Sequence, residues 1–152
     1  TRDGGQTWEN QALPAGLPPA FELHSIKALN RTTAYAAGTG STLLQTSDGA
    51  TWTQMPAVGL PPNVGFQTVD AVDSRHVWAV GAVGARERPF VAFYDGTAWR
   101  EQPVGAFLDP ETDAFIGVSA VDAQHVWVVG GFAMPLVYTM TAAPPGCAHQ
   151  PA

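Results

Sequence analysis

Three stretches of 13 residues repeat along this chain without gaps, and this repetition restricts the possible folds more than any other feature. They read IKALNRTTAYAAG, VDAVDSRHVWAVG and VSAVDAQHVWVVG, and they begin at Ile26, Val69 and Val118, 43 and 49 residues apart. The second and third stretches are identical at nine of 13 positions. A shorter motif recurs at a similar interval as DGGQTW, DGATW and DGTAW. The chain is therefore expected to consist of repeated structural units.

The order of apolar runs and turn signals predicts four short β-strands in each unit. In the second unit, the apolar runs on either side of Asp73 form the first two strands. The third strand runs from Phe90 to Tyr94, and the fourth begins at Trp99, after a turn at Asp95 and Gly96. The second strand is apolar at consecutive positions, so both of its faces are expected to be covered. Four-stranded antiparallel sheets of this size, packed face to face, are the blades of a β-propeller.

The repeats predict an all-β fold: a β-propeller fragment of about three four-stranded antiparallel blades, from a ring of about six to eight. Residues 1–11 are expected to end one blade, 21–56 and 66–103 to form two blades, 115–140 to form a partial blade, and 141–152 to be a disordered tail or linker. A three-bladed fragment would leave two apolar faces exposed. Flanking blades of the same chain, or self-association, are therefore expected.

The first eight residues, TRDGGQTW, resemble the Asp-box, Ser/Thr-x-Asp-x-Gly-x-Thr-Trp. This motif belongs to the BNR repeats of sialidase-like propellers and of photosystem II stability/assembly factor-like propellers. In the second and third copies the spacing from Asp to Trp is one residue shorter, so these copies are degenerate. The resemblance implies an extracytoplasmic bacterial-type protein, whether periplasmic, lumenal or secreted. The residues that it assigns to the motif are Thr1, Asp3, Gly5, Trp8, Asp48, Gly49, Trp52, Asp95, Gly96 and Trp99.

The motif residues are expected to stabilise their own turns rather than to bind a ligand. An Asp at a hairpin turn accepts hydrogen bonds from backbone N–H groups that the turn leaves unpaired. Glycine permits positive φ, and the Trp is expected to pack back under the turn.

A binding site is expected at the opposite end of the strands. In a four-stranded meander, the loop between strands 2 and 3 lies at the same end as the loops between blades, away from the Asp-box turns. The candidate residues at that end are Arg86, Arg88, Phe107, Asp109, Glu111, Asp113 and Phe132. The arginines could clamp a carboxylate or phosphate group, and the aromatic residues could contact a partner. The simpler alternative is a set of charged, solvated loops.

Composition excludes several classes of function. The 152 residues include 7 basic and 13 acidic side chains, and this net charge of -6 disfavours binding to nucleic acid. No apolar run approaches the length of about 20 residues that a membrane span needs. The four histidines lack the spacing of a zinc site, the acidic loop lacks that of an EF-hand, and no metal or cofactor is predicted. The single cysteine, Cys147, cannot form an internal disulfide.

Three functions remain open. The favoured one is a non-catalytic propeller that binds a protein or a carbohydrate, or assists assembly, as the likeness to assembly factor-like propellers implies. The second is a fragment of a sialidase-like glycoside hydrolase, but no arginine cluster, Tyr–Glu pair or acid Asp is recognisable, so an enzyme is disfavoured. The third is a structural spacer within a large surface protein. The sequence does not identify the ligand.

Overall fold

The computed structural model describes residues 1–84, 88–104, 114–131 and 136–140. Strands in these residues form three antiparallel sheets. Sheet I consists of β1 (Leu23–Ala28), β2 (Ala34–Gly38), β3 (Leu43–Thr46) and β4 (Trp52–Gln54). Sheet II consists of β5 (Val64–Asp73), β6 (His76–Val83), β7 (Arg88–Tyr94) and β8 (Trp99–Glu101). Sheet III consists of β9 (Phe115–Ala120), β10 (Val126–Gly130) and β11 (Leu136–Met140).

In every sheet the strands are hydrogen-bonded in chain order, each antiparallel to the next. Sheets I and II have four strands, and sheet III has three in the described residues, so the predicted all-β class is confirmed. Residues 1–22 contain turns but no strand, and the assignment of residues 1–11 to an earlier blade stays a prediction. None of the described residues belongs to a helix long and apolar enough to cross a membrane.

The first hydrophobic core lies between sheets I and II. Successive side chains of a strand point to opposite faces, so alternate residues of β2 face the same neighbour. Tyr35 and Ala37 face sheet II, where they belong to one buried cluster with Val77 and Ala79 of β6. One face of sheet I therefore packs on Val77 and Ala79 of β6.

The second core lies between sheets II and III. Trp78 and Val80 of β6 point away from sheet I and pack with Val126 and Val128 of β10. All four side chains are fully buried. Because β6 contributes alternate residues to both cores, the prediction that a second strand is covered on both faces is confirmed for sheet II.

The outer face of β10 is exposed, as expected at the end of a three-bladed fragment. Trp127 and Val129 occupy the repeat positions of Trp78 and Val80, yet they are 37% and 40% exposed. The physical reason is that, within the described part of the chain, no sheet lies on this face of sheet III. The repeated apolar pattern is present in the sequence, but its burial depends on a neighbouring sheet.

Polar side chains also join the first strands of neighbouring sheets. The Ser25 hydroxyl of β1 accepts a hydrogen bond from the Val69 N–H of β5 at 3.2 Å. Asp70 is buried on β5, with its Oδ1 2.6 Å from the Lys27 Nζ of sheet I. Its Oδ2 accepts a hydrogen bond from the Ala120 N–H of sheet III at 2.8 Å. One carboxylate therefore links all three sheets.

Each repeated segment ends in glycine for a steric reason. A Cβ atom at Gly81 would overlap the carbonyl oxygen of Gly65 on the adjacent β5. The equivalent Gly38 and Gly130 also face backbone atoms that leave no space for a Cβ. The first strand of each sheet thus passes too close to the end of the second strand for any other residue.

Candidate functional site

The Asp-Gly turns between the third and fourth strands are held by their own aspartates. Asp48 Oδ1 accepts hydrogen bonds from the N–H groups of Ala50 and Thr51 at 2.8 and 2.7 Å. Asp95 makes the equivalent pair of bonds in sheet II, and its Oδ2 lies 2.7 Å from Nη2 of Arg100. These carboxylates satisfy backbone groups within the turn, as the chemistry of such turns requires.

The first turn is built by a larger set of side chains. Asp3 Oδ1 accepts a hydrogen bond from the Thr7 N–H at 3.0 Å, and its Oδ2 accepts one from the Thr7 hydroxyl at 2.6 Å. The Thr1 hydroxyl donates to Asp3 Oδ1 at 2.7 Å and accepts from the Gly5 N–H at 2.8 Å. This turn is therefore self-contained, although no strand precedes or follows it in residues 1–22.

Two of the turn glycines are sterically required. Gly49 and Gly96 have φ angles of 73° and 90°, in the region that favours glycine. A Cβ at Gly49 would also lie only 2.6 Å from the Arg31 carbonyl oxygen. The backbone of these turns therefore requires glycine at both positions.

The three tryptophans of the motif differ in burial. Trp99 is 1% exposed and packs on the ring of Tyr94, with the ring centroids 5.3 Å apart. Trp52 is half-buried, and its Nε1 donates a hydrogen bond to Gln11 Oε1 at 2.7 Å. Trp8 is 79% exposed, so the prediction that it packs under its turn is wrong. The reason is that residues 1–22 form no strand on which its ring could pack.

Hydrogen bonding lowers the pKa of the turn carboxyls below their ordinary value of 3.8. For Asp3 the largest cause is the Thr7 hydroxyl, and it holds the pKa far below the ordinary range. For Asp95 the largest cause is the backbone N–H of Ala98. Backbone N–H groups lower the pKa of Asp48 in the same way. The turns are thus built around carboxylates that are charged at neutral pH.

A second set of turns joins the first and second strands of each sheet. Asp122 Oδ1 accepts the Gln124 N–H at 2.8 Å and lies 2.9 Å from His125 Nδ1. Asp73 and His76 repeat this pair in sheet II, also at 2.9 Å. Each of these histidines therefore contacts the aspartate of its own turn. Within the residues that the structure describes, no three His, Cys, Asp or Glu side chains are grouped closely enough to hold a metal ion.

We expect the fold to lose stability in acid because of the turn aspartates. The pKa values of Asp48, Asp95 and Asp122 are lower in the folded chain than the unfolded value of about 3.9, so the unfolded chain binds more protons as the pH falls. Their contribution is complete above about pH 4 and is lost as the pH falls through the lower native values. Urea unfolding at several pH values between neutral and acid measures this decline.

A pair of reciprocal substitutions makes the pH experiment specific. Asp95→Asn is expected to reduce the loss of stability in acid, because the asparagine amide does not titrate. Asn30 occupies the turn position of Asp73 in sheet I, where its Oδ1 accepts the N–H groups of Thr32 and Thr33, both at 2.9 Å. Asn30→Asp should therefore increase the loss. An acid profile that neither substitution changes would contradict this account.

The other end of the strands holds a cleft of about 420 Å³. It is bordered by the loop between β2 and β3, the residues around the start of β5, the end of β6 and the start of β9, so all three sheets contribute. The described part of its wall consists of polar Thr39, Asn63 and Gln67, apolar Ala82, Ala114 and Ile116, and Gly40, Gly65 and Gly84. This is the end at which the strand order predicts a binding site.

One wall of the cleft is held in an uncommon backbone conformation. Ser41 and Asn63 have φ angles of 57° and 60°, in the left-handed region that non-glycine residues rarely adopt. The Ser41 N–H donates to the Val64 carbonyl at 2.8 Å. The Ser41 hydroxyl accepts the Val64 N–H at 3.0 Å and donates to the Pro61 carbonyl at 3.2 Å. The side chain and backbone of Ser41 thus hold the loop between β2 and β3 against the linker before β5. Uncommon backbone conformations held in this way are frequent at binding sites.

Of the residues predicted to face a ligand, only Arg88 lies in the described part of the chain. Its Nη1 is 2.6 Å from Glu101 Oε1, and its guanidinium lies 5.4 Å from the centre of the Phe90 ring. Arg88 is therefore engaged by its own sheet and does not line the cleft. The other predicted residues lie outside the described residues: Arg86, Phe107, Asp109, Glu111, Asp113 and Phe132.

Sequence reasoning missed the polar wall of the cleft. Asn63 follows two prolines in the linker between sheets, and Gln67 lies at an irregularity in the pairing of β5 with β6. Neither position belongs to a repeated motif. The one local signal is that Asn adopts positive φ more readily than most residues.

No protein-family model matches this sequence, and no curated protein matches it. Among solved structures, YCF48 bound to D1 peptide is similar, with a TM-score of 0.62 over 85% of this chain. The sequence identity is 19%, and the chain spans 44% of the length of that protein chain. At this identity the similarity shows the fold alone. The three sheets are a segment of a β-propeller.

Proposed function

We propose that this chain is a non-catalytic propeller module that binds an extended peptide segment of a partner protein. The observation that carries the proposal is the cleft of about 420 Å³ to which all three sheets contribute. The peptide held by the structurally similar YCF48 supports it. Membership of the Asp-box propellers and an extracytoplasmic location are parts of the same proposal, and they rest on the resemblance of TRDGGQTW to that motif.

The chemistry of the described wall favours an extended peptide backbone. No charged side chain lines the described part of the cleft. The amides of Asn63 and Gln67 can each donate and accept hydrogen bonds, which matches the alternating groups of a peptide backbone. Ile116 is 57% exposed at the wall and offers an apolar contact for a ligand side chain.

The environment of two tyrosines disfavours a glycosidase site. The tyrosines pack in the cores: Tyr35 is 3% exposed, and burial raises its pKa, while Tyr138 packs on Phe115 with the ring centroids 6.1 Å apart. They serve the packing of the sheets rather than the chemistry of a glycosidase.

Filling the cleft at Gly65 tests the proposal. A Cβ at Gly65 meets nothing closer than the Ala82 carbonyl oxygen at 3.9 Å, so a larger side chain can be placed there without overlap at its first atom. Peptides selected by the wild-type chain from a phage-displayed random library provide the probe. We expect Gly65→Leu to weaken their binding by at least about tenfold, which is about 1.4 kcal/mol, measured by fluorescence anisotropy.

Asp48→Asn, at the opposite end of the strands, is the matched control and should leave the dissociation constant unchanged. Far-ultraviolet circular dichroism of each variant establishes that it is folded. Equal binding by wild type and Gly65→Leu would place the peptide elsewhere, and failure to select any peptide would reject the proposed function.

A further inference from the structure

The linker before β5 makes a tight turn at the wall of the cleft. Pro62 and Asn63 are the two central residues of the four-residue turn Pro61–Val64, and Asn63 has a φ angle of 60°. A proline followed by a residue with positive φ is the signature of a type II turn, and asparagine is one of the few residues that suit the second central position. The sequence of the turn therefore favours the observed backbone of Asn63.

A side chain from sheet I closes this turn. In a type II turn, the carbonyl of the first residue commonly accepts the N–H of the fourth. Here the Ser41 hydroxyl lies between those two groups, because it donates to the Pro61 carbonyl at 3.2 Å and accepts the Val64 N–H at 3.0 Å. The Ser41 N–H also donates to the Val64 carbonyl at 2.8 Å. One residue of the loop between β2 and β3 thus holds the chain on both sides of Asn63.

Asn63 therefore carries its side chain on a fixed backbone. It is exposed and lines the cleft, and none of the hydrogen bonds among the described residues involves its amide. A group that is already positioned loses less conformational freedom when a ligand binds. Gln67, the other amide of the described wall, has one more side-chain torsion to order. Asn63 is thus the better prepared of the two amides for binding.

The amide of asparagine can take the place of one residue in a neighbouring β-strand. In an antiparallel pair, a hydrogen-bonded residue offers both its N–H and its C=O to a single partner residue. The asparagine amide offers a donor and an acceptor on one planar group. It can therefore accept the N–H and donate to the C=O of one residue in an extended peptide. Proline cannot supply that N–H.

We propose that Asn63 binds the backbone of one residue of the peptide, and that Ser41 is the residue that positions Asn63. This inference rests on the proposed function and adds the specificity of the site. The ligand needs a free backbone N–H at one position, so proline is excluded there. Asn63 does not select the side chain at that position, because both of its hydrogen bonds go to the backbone.

Asn63→Gly separates the amide from the turn that carries it. Glycine adopts positive φ readily, so the turn and the fold are expected to persist. The probe is a peptide that the wild-type chain selects from a phage-displayed random library. An ester in place of one peptide amide removes a single N–H, and a set of such peptides tests each position in turn. At one position we expect the ester to weaken binding to wild type at least about fivefold, and binding to Asn63→Gly no more than about twofold.

Ser41→Gly tests the positioning role. It removes the hydroxyl but accommodates the φ angle of 57° at this residue. We expect it to weaken binding of the unmodified peptide about fivefold in the wild-type background, and much less in the Asn63→Gly background, where no amide remains to be positioned. Ser74→Gly is the matched control, because Ser74 is exposed in the turn between β5 and β6 at the opposite end of the strands. It should bind like wild type.

The outcomes separate this inference from the proposed function. An ester penalty that is the same for wild type and Asn63→Gly at every position would overturn the role of Asn63 and leave peptide binding intact. Equal losses from Ser41→Gly in both backgrounds would show a purely structural role for Ser41. If Ser41→Gly does not fold by circular dichroism, the ester series with Asn63→Gly still decides whether the amide binds the backbone. Failure of the wild-type chain to select any peptide would reject the proposed function and this inference with it.

Discussion

Gly81→Ala is expected to lower the free energy of unfolding by about 3 kcal/mol, the upper part of the range for overpacking a well-packed interior. The new Cβ would overlap the Gly65 carbonyl oxygen and would lie 2.9 Å from the Cα of Phe66. Both atoms belong to the backbone of β5, so no side-chain rotation relieves the overlap. The strand itself must move, and β5 contacts both neighbouring sheets through the cores. Urea unfolding at constant temperature measures the loss.

Gly65→Ala is the matched control for this substitution. Gly65 lies beside Gly81 on the neighbouring strand, but a Cβ there has ordinary contact distances. Its effect is expected to stay within about 1 kcal/mol, since replacing glycine by alanine also restricts the unfolded chain. Equal stability changes for the two variants would show that the close approach of β5 to β6 is not what requires Gly81.

Trp78→Ala is expected to cost about 3 to 5 kcal/mol, the usual loss for truncating a buried aromatic side chain. Trp78 is 0% exposed between sheets II and III, and its ring centroid lies 5.2 Å from that of Phe93. Its Nε1 also donates a hydrogen bond to Gln102 Oε1 at 3.2 Å. Truncation would leave a cavity in the core between sheets II and III. Thermal or urea unfolding measures the change.

Two comparisons separate the roles of volume and position. Trp78→Phe retains an aromatic ring and should cost less than Trp78→Ala. Val58→Ala, in an exposed linker, should change stability by no more than about 0.5 kcal/mol. If Trp78→Ala were as mild as Val58→Ala, the contact between sheets II and III would not be a packed core.

The strands and turns were predictable because they depend on short-range chemistry. Apolar runs on either side of a polar turn predict β5 and β6, and those strands pair with each other in the structure. Asp48 and Asp95 lie within the turns that they stabilise, so their hydrogen bonds involve residues within a few positions. The repeat also predicted face-to-face packing of like sheets, because β6 is apolar on both faces.

Burial at equivalent positions was not predictable from the repeat. Trp8, Trp52 and Trp99 occupy one motif position, yet they range from 79% to 1% exposed. Trp78 and Trp127 likewise share a position but not an environment. A residue's own sequence specifies which face of a strand it occupies, whereas its burial requires another sheet on that face.

The sequence by itself determined the repeat, the order of strands and the chemistry of the turns, since each depends on residues near one another in the chain. Only the tertiary structure decided the cleft. Asn63, Gln67 and Ile116 come from separate segments, and they form one wall because three sheets converge at their inner strands. No local pattern encodes that convergence, because it arises from how whole sheets pack.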